Sequence, residues 1–436
     1  MSSRLLQRLV GSKLLGSQGS LRQKTVAGSQ WLMARSAVLG FTDLLRAVVF
    51  ARILFPDDYG LMALAMIPIG LFESFSTTGI DILIQRDSDE FRRKLESYWT
   101  IKLVRGFLLT LLTWFAAEPL ASLYQRPDLV PLVRFLAVRF LILGGCGFGK
   151  EVRQRSMDFV SVAVVESASS VAVLLVSLGA VFVWGNFWAL AIVSMATAVS
   201  LLVSSYILYP WRPGLRLERS ILKDVAAFSG SLVIMNLLNA FFSYFDTGVV
   251  GKLLGVEELG YYARAYFLAL IPVTYFSNVV APIFLPVFRQ VADDAPRLRR
   301  AFGKSALVIG LLVLIMGGVF FLFAREIVVI VYGRRWLPVL PVFQVLLIFG
   351  LGKSIVAICP SIFFLRNKPW MITLSAAVMV VVFGALCIPL TMAYHLLGTA
   401  WSVVIASLLS YALSFALVGY LLARPAQSGA QGREAA

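Results

Sequence analysis

Apolar runs of about twenty residues succeed one another along this chain from Gln30 to Leu422, with only short polar interruptions. A bilayer's hydrocarbon core is roughly 30 Å thick, and about twenty helical residues cross it. The pattern predicts twelve spans, at 30–54, 59–83, 97–117, 129–148, 158–184, 187–209, 225–251, 258–285, 304–324, 337–364, 370–391 and 395–422. Runs this long suit helices, which satisfy their own backbone polar groups, and not the roughly ten-residue alternating strands of a barrel. The expected fold is an all-α integral membrane protein with about 12 transmembrane helices.

The composition agrees, since 59% hydrophobic and 14% charged residues lie outside the range of soluble domains. The net charge of +16 changes the picture only through its placement. Of 39 basic residues, 25 fall in the N-terminal tail, in the loops at 86–94, 150–155, 212–223, 289–304 and 366–368, and at the C-terminus. The alternate loops hold five: Arg126, Lys252, Arg325, Arg334 and Arg335. Short cytoplasmic loops carry the Lys/Arg excess, so both termini are expected in the cytoplasm. The charge is a topology signal and does not point to nucleic acid. Residues 1–29 lack a secretory cleavage signal, and Leu5, Leu6, Leu9 and Val10 oppose the basic positions, which predicts a basic amphipathic tail on the membrane surface. A disordered basic tail is the other reading.

One segment is written twice. "ARILFPDDYGLMALA" at 51–65 is echoed by "GKLLGVEELGYYARA" at 251–265. Val49/Val249, Leu54/Leu254, Gly60/Gly260, Ala63/Ala263 and Ala65/Ala265 are identical, while Arg52/Lys252, Asp57/Glu257 and Asp58/Glu258 keep their charge. Both copies join an odd span to the next even one, with acids placed to cap the second helix. Six spans separate them, so the duplication predicts two parallel six-helix lobes around a central cavity. The expected domains are the tail at 1–29, an N-lobe at 30–209, a linker at 210–224, a C-lobe at 225–422 and a second cytoplasmic tail at 423–436.

The stretch "FARILFPDDYGLMALAMIPIGLFESFSTTGIDILIQRDSDE" at 50–90 resembles the N-terminal signature of bacterial polysaccharide and lipopolysaccharide (O-antigen, Wzx-type) oligosaccharide flippases, a family of the MATE-related MOP superfamily. The resemblance implies a multi-pass carrier of the cell inner membrane. Such a carrier moves an undecaprenyl-diphosphate-linked oligosaccharide from the cytoplasmic to the periplasmic leaflet by alternating access, alongside polysaccharide polymerase and export machinery. It implies no cofactor beyond a coupling ion, H+ or Na+.

Charges inside spans cost at least ~2.5 kcal/mol on insertion scales unless they face a cavity, snorkel or pair. Arg35 and Arg46 lie three helical turns apart on one face, and Asp43 is three residues from Arg46. They form either a structural pair beside a snorkelling Arg35 or a cationic wall that draws in diphosphate, whose oxygens match the guanidinium fork. Arg105, Arg134, Arg139 and Lys353 extend the basic set, Arg139 and Lys353 deepest. Asn236 and Asn239 are placed either to bond sugar hydroxyls or to glue helices. Asp43, Glu73, Glu166 and Asp246 are the ion-coupling candidates. The positive excess favours an anionic substrate over a cationic drug, which leaves a MATE-like cation-coupled exporter as the alternative.

Enzymatic chemistry finds little support. There is one histidine, His395, and Cys146, Cys359 and Cys387 are scattered, so no metal site or catalytic pair is visible. "GGCGFGK" at 144–150 has phosphate-loop spacing, but Glu151 stands where Ser or Thr is required and no strand precedes it. A polysaccharide polymerase or ligase would need a large outer loop, and no outer loop exceeds roughly 15 residues. Pro68, Pro272, Pro282, Pro286 and Pro360 are candidate kinks.

Overall fold

The computed structural model of the protein describes residues 21–76, 79–86, 91–279, 281–292 and 294–423, and the regular structure within them is helical. Most of the basic N-terminal tail, and all but the first residue of the C-terminal one, lie outside the described residues. The described chain divides into two compact units between Leu237 and Leu238.

The first unit contains α1 (Leu21–Ile53), α2 (Pro56–Phe75), α3 (Ile80–Arg86), α4 (Phe91–Tyr124), α5 (Leu129–Gly144), α6 (Gly149–Arg155), α7 (Phe159–Trp184) and α8 (Phe187–Leu208). α9 (Arg219–Leu253) runs across the division. The second unit continues with α10 (Val256–Val279), α11 (Ala281–Arg289), α12 (Ala295–Leu322), α13 (Ala324–Val331), a 3-10 turn (Arg334–Trp336), α14 (Val339–Val356), α15 (Cys359–Leu365) and α16 (Trp370–Ala423). α4 packs on α5, α7 on α8 and α1 on α7; in the second unit α14 packs on both α10 and α16.

Five helices and the long α16 column are each long and apolar enough to cross a membrane: Lys94–Tyr124, α7, α8, α12, Val339–Leu365 and Trp370–Ala423. The bent pair α5 and α6, at 42°, makes one more. The expected first, second, seventh and eighth spans fall on α1, α2, α9 and α10, which are helical as well.

Several boundaries differ from expectation, each for a local reason. α1 is already helical at Leu21, the first described residue and nine before the expected start, because Leu, Arg, Gln, Lys and Ala favour helix and a single Gly28 costs only about 1 kcal/mol. The second span stops at Phe75: Ser76 Oγ turns back onto the carbonyls of Phe72 and Glu73, and Gly79 takes a left-handed φ of 63°. The fourth ends at Gly144, the eighth is divided between α10 and α11, and the tenth breaks before Cys359. Pro68, Pro119 and Pro389 sit inside helices that continue past them, whereas Pro360 stands in the first turn of α15, directly at the tenth span's break.

The duplicated turn explains its acids. Asp58 Oδ2 accepts from Phe55 N at 2.9 Å and caps α2, while its Oδ1 accepts from Phe187 N at 2.9 Å. Burial raises the Asp58 carboxyl above the ordinary aspartate value, and these two N–H donors pull it back. Asp57 takes both guanidinium branches of Arg126, at 3.0 and 2.8 Å. The turns after α1, α4 and α7 are thus tied to one dipeptide. In the second unit Glu257 and Glu258 occupy the same first-turn positions of α10.

The last two expected spans are the two helical arms of α16, joined by a sharp turn at Tyr394 and His395. The two arms lie antiparallel: Ser410 Oγ donates to Ser375 O at 2.8 Å, and the Thr391 and Thr399 hydroxyls are 2.7 Å apart. A Cβ on Gly398 would lie 1.8 Å from Leu390 O, so only glycine fits that close turn.

Candidate functional site

The charged cavity of the first unit is assembled by glycines. A Cβ on Gly106 of α4 would lie 2.5 Å from Phe140 O and 3.1 Å from Gly144 Cα, so these two helices touch backbone to backbone. The chain then leaves α5 through Gly145–Phe148, packed on α8. Gly145 O accepts from Tyr206 Oη at 2.8 Å and Trp99 Nε1 at 3.2 Å, and Gly147 N donates to Ser205 Oγ at 2.9 Å. A Cβ on Gly149 would lie 2.0 Å from Ser205 O. The glycine-rich run is therefore a tightly packed helix break. The Gly147 N–H is spent on Ser205, where a phosphate cradle would leave it open.

Behind this break lies a cavity of about 250 Å³, lined by Lys102 and Arg105 of α4, Lys150 and Glu151 of α6, Glu73 of α2, and Glu166 of α7. Drug-sized ligands occupy roughly 300–1,000 Å³, so this space suits a charged head group and cannot enclose an oligosaccharide.

The acids are partnered unequally. Glu166 pairs with Arg35 of α1, and its Oε1 is 2.9 Å from Lys150 Nζ. Glu73 Oε2 lies 3.6 Å from Arg139 Nη1. Counting Arg35 and Arg139, which reach the lining acids from behind, five bases face three acids. Among the described residues no carboxylate lies within ion-pair reach of Arg105, whose buried Nε has no hydrogen-bond partner. Among them no carboxylate lies within ion-pair distance of Lys102 either; its Nζ sits 5.2 Å above the Phe148 ring.

The other sequence-derived candidates are dispersed. Arg46 pairs with Asp43 on its own helix, and Arg35 with Glu166, so the two arginines do not form one free cationic wall. Arg134 Nη2 is 2.6 Å from Glu118 Oε1, and its guanidinium lies 5.2 Å from the Trp114 ring. Neither belongs to the cavity. Arg139 is not isolated in its span, because Glu73 answers it. The face shared by Arg35 and Arg46 was read from helical spacing, which does not reveal partners on other helices.

In the second unit, Lys353 is exposed, its Nζ 5.7 Å from the Phe349 ring. On α9, Asn236 is half-buried and Asn239 exposed. Asp246 is 3% exposed. Its Oδ2 accepts from Tyr262 Oη at 2.6 Å and its Oδ1 from Thr247 N at 2.7 Å. Among the described residues no cation reaches it, which separates Asp246 from Asp43, Glu73 and Glu166.

Lys102, Lys150 and Glu151 are cavity residues absent from the sequence-derived set. Lys102 lies one helical turn before Arg105, a signal that was available. Lys150 and Glu151 were set aside with the failed phosphate loop.

A family model described as polysaccharide biosynthesis protein matches residues 49–341. The lipopolysaccharide biosynthesis protein WzxC of Escherichia coli (strain K12) is 24% identical over 345 residues, covering 77% of this chain and 69% of its own. The teichuronic acid biosynthesis protein TuaB of Bacillus subtilis (strain 168) is 25% identical over 344 residues, covering 78% and 71%. Among solved structures, the inward closed conformation of the lipid II flippase MurJ aligns with a TM-score of 0.69 over 90% of this chain and 87% of that one, at 12% identity. An inward-facing MATE multidrug resistance transporter of the MOP superfamily aligns with a TM-score of 0.59 over 88% and 95%, at 14% identity. This chain belongs to the polysaccharide biosynthesis protein family and carries the all-helical, multi-pass fold of the MOP-type transporters.

Proposed function

We propose that the protein is a flippase for an undecaprenyl-diphosphate-linked oligosaccharide, carrying it from the cytoplasmic to the periplasmic leaflet by alternating access. It would cross the inner membrane twelve times in two six-helix lobes with both termini in the cytoplasm, and leave its substrate chemically unchanged. Family membership and the likeness to a lipid II flippase support the substrate class. The observation that carries the reading is Arg105, a guanidinium with no carboxylate within ion-pair distance among the described residues and with its buried Nε unbonded, in a cavity of head-group size. Burying an unsatisfied charged donor costs more than the roughly 1–3 kcal/mol of a neutral one, and a diphosphate oxygen would satisfy it.

In this reading Arg105 and Lys102 hold the diphosphate. Arg35 and Lys150 neutralise Glu166, so that it does not repel the incoming anion. Asn236 and Asn239 of α9 are offered to sugar hydroxyls, and Lys353 of α14 to an anionic group of the substrate. A ligand drives the switch only through different affinities for the two states, so these contacts must change strength between the inward and outward forms.

The experiment is deletion of the gene and complementation, with lipid-linked glycan quantified on each face of the membrane. The deletion should accumulate intermediate on the cytoplasmic face, and the intact gene should clear it. Polysaccharide export that proceeds without the gene overturns the reading and brings the MATE-like exporter forward.

The coupling ion is assigned to Asp246. Among the described residues its carboxylate has Tyr262 and Thr247 as partners and no cation, and a bound cation would offset the several kcal/mol cost of an uncompensated buried charge. Replacing Asp246 by Asn preserves its size and an acceptor oxygen, and should lower export roughly tenfold or more. Residual export should no longer respond to collapse of the proton or sodium gradient. Wild-type gradient dependence in Asp246→Asn would remove the assignment.

A further inference from the structure

At the start of α12, Arg297, Arg299, Arg300 and Lys304 place four cations within about two turns, where Asp294 is the capping acid. Membrane topology accounts for the number of these charges. It does not account for the space beside them. Between the first turns of α12 and the last turns of α16 runs a groove of about 300 Å³.

The floor of the groove is apolar: the Phe302 and Phe415 rings meet edge to face with centroids 6.2 Å apart, beside Val418. Both walls lack the side chains that would close it, for a Cβ on Gly303 or Gly419 would meet nothing within 4 Å. Arg299 lines the groove, is exposed, and has no carboxylate within ion-pair reach among the described residues. Its neighbours are engaged. Arg300 Nε donates to Pro296 O at 3.4 Å, and Arg297 Nε lies 3.9 Å from Asp294. From the groove, the exposed Leu307, Leu311 and Leu314 continue along α12.

An apolar slot that opens onto an apolar helix surface and carries a guanidinium with no carboxylate partner among the described residues is complementary to an amphiphile with a phosphate head. We infer that this groove holds one anionic glycerophospholipid, its phosphate on Arg299 and one acyl chain between the glycine walls. Four clustered cations favour a net anionic head group over a zwitterionic one, whose ammonium would be repelled. The site lies wholly within the second unit and is independent of the transported substrate.

The full chain would be placed in phosphatidylcholine nanodiscs containing photoreactive phosphatidylglycerol, and adducts mapped by peptide mass spectrometry. Adducts are expected on residues 299–303 and 415–423. Arg299→Gln should lower their yield about fivefold, the loss of one membrane-facing cation. Gly419→Leu should lower it at least as much by filling the slot, with thermal unfolding unchanged. If Gly419→Leu does not accumulate, Gly303→Leu fills the same space from α12. Equal labelling by photoreactive phosphatidylcholine, displacement by equimolar undecaprenyl phosphate, or labelling indifferent to Arg299→Gln and to the filled groove would each overturn the assignment.

Discussion

Replacing Arg105 by glutamine should reduce surface polysaccharide roughly 10- to 100-fold while the protein stays in the membrane at wild-type level. A hydrogen bond to a charged group contributes about 1.5–3 kcal/mol, and each 1.4 kcal/mol is tenfold. Lysine at this position keeps the charge but loses the planar fork, so Arg105→Lys should recover only part of the activity. Stability separates this role from a structural one. Arg105 has no ion pair among the described residues to lose, and its buried Nε is unsatisfied, so Arg105→Gln should melt at or above the wild-type temperature. A structural arginine would behave in the opposite way, losing stability and export together. Wild-type export from well-expressed Arg105→Gln would remove the central support for the cavity as a phosphate site.

Glu166→Gln should produce the largest loss of stability among the cavity variants. The change leaves Arg35 and Lys150 without their common counter-charge. Breaking a fully buried pair costs about 3–5 kcal/mol. The Arg35 and Lys150 side chains are 25% and 43% exposed, so the cost here falls near or below the lower end, about 2–3 kcal/mol. Thermal unfolding in a fixed detergent should show the fall, and a double variant combining Glu166→Gln with Lys150→Met should regain part of it. A cycle in which the two changes are additive would mean that Lys150 and Glu166 do not interact in the folded protein.

Much of this fold was legible in the sequence because the bilayer imposes a length and an apolarity that simple counting detects. Among the described residues the apolar segments fall mainly on helix, six or seven of them long and apolar enough to cross a membrane, and the acids of the duplicated turn occupy the first turns of α2 and α10. The interruptions were less legible. Five prolines drew attention, yet the decisive break at Gly145–Phe148 contains none; it arises from glycines that let α8 come against the backbone.

The site was harder still. Spacing along one helix says which residues share a face, and it paired Asp43 with Arg46. It cannot say that Glu166 faces Arg35 and Lys150, because those partners come from three different helices. Lys102 and Lys150 lie near predicted span ends, where a snorkelling lysine is the ordinary reading. Their role appears only when α4, α6 and α7 are brought around one cavity. Arg105 was named from its depth alone, and what distinguishes it, the missing partner, is a tertiary property.

The turn at Tyr394 and His395 has a practical consequence for determining which side of the membrane is which. The chain contains one histidine, and with Tyr394 it forms the non-helical turn between the two arms of α16, at a left-handed φ of 53°. An impermeant imidazole-modifying reagent applied to sealed cells or to inverted vesicles therefore addresses one atom group at one known place. The native sequence carries its own sidedness label, and no engineered cysteine or fused reporter is needed to orient the whole bundle.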